Sequence, residues 1–160
     1  MRSVQRWVYG VAATPLVLFV VAIVVGVVIG DSAGFLYDVA GNWALVLAFG
    51  SVLFVPSMLL TAYGAYLLPQ PPVFGRVVAT VGLALPAAFL PLILVGLVDS
   101  VITDRSDWPD DGTSWAPKLS TAGTIVATTP FVLLSVAAMY GIWLVWSRRP
   151  VPATTPAVTP

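Results

Sequence analysis

Hydrophobic residues in this chain do not alternate with polar ones. They collect into four long runs, from about Trp7 to Ile29, Trp43 to Leu68, Val77 to Val98 and Thr124 to Trp146. None of the four runs holds a charged residue. A helix rises about 1.5 Å per residue, so roughly 20 residues cross a hydrocarbon core of about 30 Å. Lipid offers the backbone no hydrogen-bond partner, which favours helices that satisfy themselves. A β-barrel would need polar residues at alternate positions, and Val20-Val21-Ala22-Ile23-Val24-Val25 has none. Four such helices in a soluble domain would leave nothing to enclose them. The pattern predicts an all-α, integral membrane four-helix transmembrane bundle occupying residues 1–149.

The breaks between runs carry loop signals. Gly30-Asp31-Ser32-Ala33-Gly34 opens the first loop, and Pro69-Gln70-Pro71-Pro72 makes a tight second one. The third, from about Asp99 to Thr121, contains the turn signal Trp108-Pro109-Asp110-Asp111-Gly112. Residues 150–160 are rich in Pro and Thr and are expected to be a disordered tail.

Charge sets the expected orientation. Arg2 and Arg6 precede the first run, Arg76 lies in the second loop, and Arg148 and Arg149 follow the fourth run. All seven aspartates fall in or beside the first and third loops, joined there only by Arg105 and Lys118. Positive residues stay on the cytoplasmic side, so the chain is expected in the cell membrane as a multi-pass protein with both termini cytoplasmic. Trp7, Trp43, Trp143 and Trp146 lie near run ends, where interfacial anchors belong. A cleaved signal ending before Asp31 is the competing reading of the first run. That run is longer than the usual signal core of about 7–15 residues, which favours a retained helix.

Three short matches recur in order. Tyr9-Gly10 to Thr14 resembles Phe74-Gly75 to Thr80, Asp31-Ser32 pairs with Asp99-Ser100, and Tyr63-Gly64 pairs with Tyr140-Gly141. They suggest two repeated helical hairpins, against chance similarity of low-complexity apolar segments. Helices in lipid associate through small residues. Gly26 and Gly30, Ala84 and Ala88, and Ala137 and Gly141 are the helix-packing candidates, within one chain or as a dimer seam. The prolines 15, 56, 86, 91 and 130 each remove a backbone bond; Pro86 and Pro91 together should bend or locally unwind the third helix.

Composition narrows the chemistry. Only 9% of residues are charged and mean hydropathy is +0.97, too few polar groups to coat a water-facing surface. Cysteine, histidine and glutamate are all absent, which removes thiolate, imidazole and most zinc or haem chemistry. Aspartate-rich, lysine-poor usage with much Val, Ala and Gly suggests a GC-rich genome, such as that of a salt-loving archaeon. Asp104, Asp107, Asp110 and Asp111 are weak candidates for a hard cation, and their spacing does not fit an EF-hand. No phosphate- or dinucleotide-binding glycine pattern occurs, and no cofactor is expected. Thr61, Thr80, Thr128, Thr129 and Ser135 are the candidates for a polar path; helix-to-helix glue is the plainer reading.

The expected function is therefore non-enzymatic: an accessory, assembly or scaffold subunit of a membrane complex. Its partners would be the lipid bilayer and another membrane protein or a second copy of itself, with no nucleic acid. The alternative is a small homo-oligomeric transporter or channel for an ion or small solute. The two differ in whether those five hydroxyls converge on one cavity.

Overall fold

The structure, a computed structural model, describes residues 2–29, 34–69, 72–102 and 119–147. The described residues form four α-helices: α1 (Arg2–Ile29), α2 (Phe35–Leu67), α3 (Pro72–Ile102) and α4 (Thr121–Ser147). All four are long and apolar enough to cross a membrane, the architecture of a multi-pass membrane protein.

Each helix outruns its apolar stretch. α2 begins at Phe35 rather than near Trp43, because Val39 and Ala40 still find buried packing ahead of the long run. Its start is marked by Gly34 at φ +32°, a conformation that suits a residue without Cβ. Asp38 stands in the first turn, where a negative charge complements the helix dipole. α3 starts on Pro72, whose missing N–H costs nothing at a first helical position. Ser120 caps α4, its Oγ accepting from the Gly123 amide at 3.2 Å. Of the bend or local unwinding expected of the third helix, the unwinding does not occur: α3 runs unbroken through Pro86 and Pro91.

Successive helices run antiparallel, and α2 packs against both α1 and α3, while α3 also packs along α4. α1 meets α4 less extensively and closes the ring. One end of the bundle gathers the start of α1, the end of α2, the start of α3 and the end of α4, and carries Arg76. The other end carries Asp38. A core of Val4, Val8, Val11, Ala65, Leu68, Ala79, Leu83, Leu134, Ala138 and Val145 fills the Arg76 end. A smaller cluster of Leu47, Phe54 and Phe131 lies towards the Asp38 end, with Trp43, Phe89 and Ile93 against it. Only 22% of the most apolar window of α1, α2 or α3 is buried, against 33% for α4. The remaining Val, Leu and Phe side chains form an outward coat that hydrocarbon, unlike water, accommodates.

Candidate functional site

The α2–α3 seam is built on glycines. A Cβ on Gly64 would overlap the Ala79 backbone, and one on Gly82 would overlap Thr61. On Gly75 it would stand 2.7 Å from the Leu67 carbonyl. Gly75, Ala79 and Gly82 share one face of α3 by helical spacing. They meet Thr61, Gly64 and Leu67 of α2 at backbone distance.

Close approach lets side chains reach carbonyls that prolines have orphaned. Pro86 has no N–H to give the Gly82 carbonyl, four residues earlier. Ser57 Oγ, buried on α2, donates to that carbonyl at 2.7 Å. Likewise Pro69 cannot serve the Ala65 carbonyl, and Gln5 Nε2 from α1 donates to it at 3.0 Å.

Indole groups tie α4 to each of the other helices. Trp7 Nε1 on α1 donates to the Ala137 carbonyl at 3.2 Å, and Trp43 Nε1 on α2 donates to the Ala127 carbonyl at 2.8 Å. Trp146 Nε1 on α4 itself donates to Thr80 Oγ1 on α3 at 2.9 Å. Trp43, expected at an interface, is turned inwards against the smaller apolar cluster. Trp7, Tyr140 and Trp143 form an aromatic group at the Arg76 end, with centroid separations of 5.3 and 5.5 Å.

The small-residue candidates divide. Gly141 is buried, and a Cβ there would lie 3.2 Å from Leu83; Ala137 is half-buried against the main core. Ala84 and Ala88 are exposed on α3, and a Cβ on Gly26 would meet nothing within 4 Å. Gly30 lies outside the described residues. Gly10 and Gly75, matched in the repeat, also differ: a Cβ on Gly10 finds open space, where one on Gly75 meets backbone.

The hydroxyl candidates do not converge. Thr61 is buried in the α2–α3 seam, and Thr80 accepts from Trp146. Thr129 is exposed and donates to the Ile125 carbonyl of its own helix at 2.7 Å. Thr128 and Ser135 donate to the Thr124 and Phe131 carbonyls at 2.8 and 2.9 Å. These last two also line a cleft of about 190 Å³ between α2, α3 and α4. The cleft runs from Asn42, Gly96 and Thr128 at the Asp38 end down to Phe54, Pro86 and Ser135 at mid-bundle. Its floor is formed by Phe54 stacked on Phe89, ring centroids 5.2 Å apart. Beyond Pro91 no described side chain of α3 is fully buried, and Ile93 alone packs half-buried against the smaller cluster.

Asp104, Asp107, Asp110 and Asp111 lie outside the described residues, as does the tail 150–160. Among the described residues no group of acids is placed to hold a metal ion. The glycine seam and the cleft escaped the sequence reading. Pro69 and Pro86 were the available signal, since each names the carbonyl four residues earlier as needing a donor. Nothing in the sequence pattern marks Asn42 or Gly96. No protein-family model, curated protein or solved structure shows a significant match to this chain.

Proposed function

We propose that this protein is a non-enzymatic accessory, assembly or scaffold subunit of a membrane complex, inserted with both termini on the cytoplasmic side. The disposition of the hydroxyls carries the reading. Ser57, Thr128, Thr129 and Ser135 each donate to a helix carbonyl, so none of these four is reserved for a passing solute. Ala84 and Ala88 on α3 and the open space over Gly26 on α1 offer a neighbouring helix close approach from outside the ring. The neighbour is another membrane protein or a second copy of this chain. Arg2, Arg6, Arg76, Arg148 and Arg149 support the orientation, and the aromatic group at the Arg76 end suits a headgroup layer. Duplication of an ancestral hairpin remains part of the proposal; a Cβ on Gly64 would meet α3 at Ala79 and one on Gly141 would meet α1 at Trp7, 3.6 Å away, as exchange of the hairpins requires.

Crosslinking in native membranes, followed by identification of the captured species, tests this reading. A defined partner or a homo-oligomer is the expected result. A protein that runs alone from native membranes and in mild detergent overturns it. A small transporter is the second reading, favoured by the cleft that Thr128 and Ser135 line. It requires flux of an ion or small solute into liposomes above that of empty vesicles.

A further inference from the structure

The docking reading leaves the cleft between α2, α3 and α4 without a role. We propose that it is a lateral slot for one hydrocarbon chain of a lipid, entered from the bilayer, with the polar end of that lipid held at the level of Asn42.

Shape carries the first part of the inference. Asn42 and Phe54 mark its two ends on α2, and Gly96 and Pro86 mark them on α3. By helical rise those spans make a slot roughly 15 Å long. About 190 Å³ spread over that length is narrow. A helix is about 10 Å across with its side chains and does not enter. An extended hydrocarbon chain does.

Wall chemistry carries the second part. Val46, Phe89, Ile93 and Phe131 present hydrocarbon or ring faces. The two hydroxyls on the wall, Thr128 and Ser135, already donate to carbonyls of their own helix. Ordered water needs two to four polar partners, and the wall supplies few. The slot is entered beside Gly96, which is exposed and whose added Cβ would meet nothing within 4 Å. Leu92 and Val95 next to it face outwards at 67% and 68% exposure, so the surrounding medium at the entrance is hydrocarbon.

Asn42 gives the slot a polar end. It sits two turns into α2, roughly 10 Å from the helix start, and immediately precedes the uncharged run that begins at Trp43. Its side-chain amide has no hydrogen-bond partner among the described residues. The amide offers both a donor and an acceptor. The chemistry recognised is a flexible hydrocarbon chain ending in an ester or carboxyl, from a bilayer phospholipid or a free fatty acid.

The test uses the full chain in mild detergent, incubated with dioleoyl phosphatidylglycerol in one arm and oleic acid in the other. Native mass spectrometry counts the molecules retained. Wild type is expected to retain one molecule per chain. Gly96→Leu, which fills the slot without meeting a neighbour, should lower the retained fraction at least tenfold. Gly10→Leu adds the same side chain to open space on α1 and should retain as wild type does. If Gly96→Leu does not fold, Val46→Phe fills the slot from α2 and is read the same way. Retention in the phospholipid arm alone assigns the chain to the bilayer, and retention in the oleic acid arm alone assigns it to a free acid; either supports the slot. No retention by wild type overturns the proposal, as does equal retention by the filled variant. Absent lipid retention together with a changed oligomeric mass in Gly96→Leu would overturn the proposal and place a protein contact over the slot's mouth instead.

Discussion

At the Arg76 end α2 and α3 meet backbone to backbone through glycine and alanine, and at the Asp38 end the helices meet through aromatic rings beside an open slot. Both halves are cut from the same four uncharged apolar runs, so hydrophobicity does not separate them. Lipid tails are as apolar as leucine, and burying leucine against leucine gains little in that solvent. Helices hold together in lipid where atoms approach closely enough for dispersion and for hydrogen bonds to carbonyls. Gly64, Gly75 and Gly82 allow that approach at one end, and Ser57 reaches Gly82 across it. At the other end Phe54, Phe89 and Phe131 fill the contact, and α3 beyond Pro91 keeps only Ile93, half-buried, against that cluster.

The largest expected effect pits one glycine against another. Gly82→Leu would force a side chain into the Thr61 backbone and should cost about 3 kcal/mol or more, enough to broaden or split its chromatographic peak. Gly96→Leu, in open space, should leave the fold intact. A monodisperse chromatographic peak for both variants would break the contrast between the halves.

Ser57→Ala comes next. It strips the Gly82 carbonyl of its donor, for about 1–2 kcal/mol. The cost should shrink in a Pro86→Ala background, where an alanine N–H can serve that carbonyl. Unfolding measured in a double-mutant cycle checks it; additive losses would mean that Ser57 does not repair the proline.

Trp43→Phe removes the donor to Ala127 while keeping the ring, and about 0.6–1 kcal/mol should follow. Loosening should be local, so hydrogen exchange ought to rise at the start of α4 and stay unchanged around Ala138. A uniform rise would show that the halves are coupled rather than distinct. The smallest effect is expected for Gln5→Met. Ala65 itself is buried, but the bond from half-buried Gln5 is only part-buried and water can follow the departing amide, so the cost should be about 0.5 kcal/mol or less.

Much of the architecture was legible because lipid imposes a simple condition on every residue in a span. Long uncharged runs, proline-marked turns and an all-helical bundle follow from that condition alone. Helix ends were less legible. Residues 35–42 include Asp38 and Asn42 and read as loop by hydropathy, yet they are helical because Val39 and Ala40 pack. The candidate site was least legible. Thr61, Thr128 and Ser135 look alike in sequence, but one is buried in the glycine seam and the others line the cleft. Gly26 and Gly82 are equally plain glycines; one has open space above it and the other touches a neighbouring helix.

The sequence by itself determined the number of spans, their helical character and the asymmetry of charge between the two sets of loops. Those properties depend on each residue's own affinity for hydrocarbon or water, summed over about 20 neighbours. Only the tertiary structure decided which glycines touch a helix, which carbonyls Ser57 and Gln5 serve, and where the bundle stays open. Those depend on the rotation and offset of one helix against another, set by contacts of a few tenths of an ångström that no hydropathy sum contains.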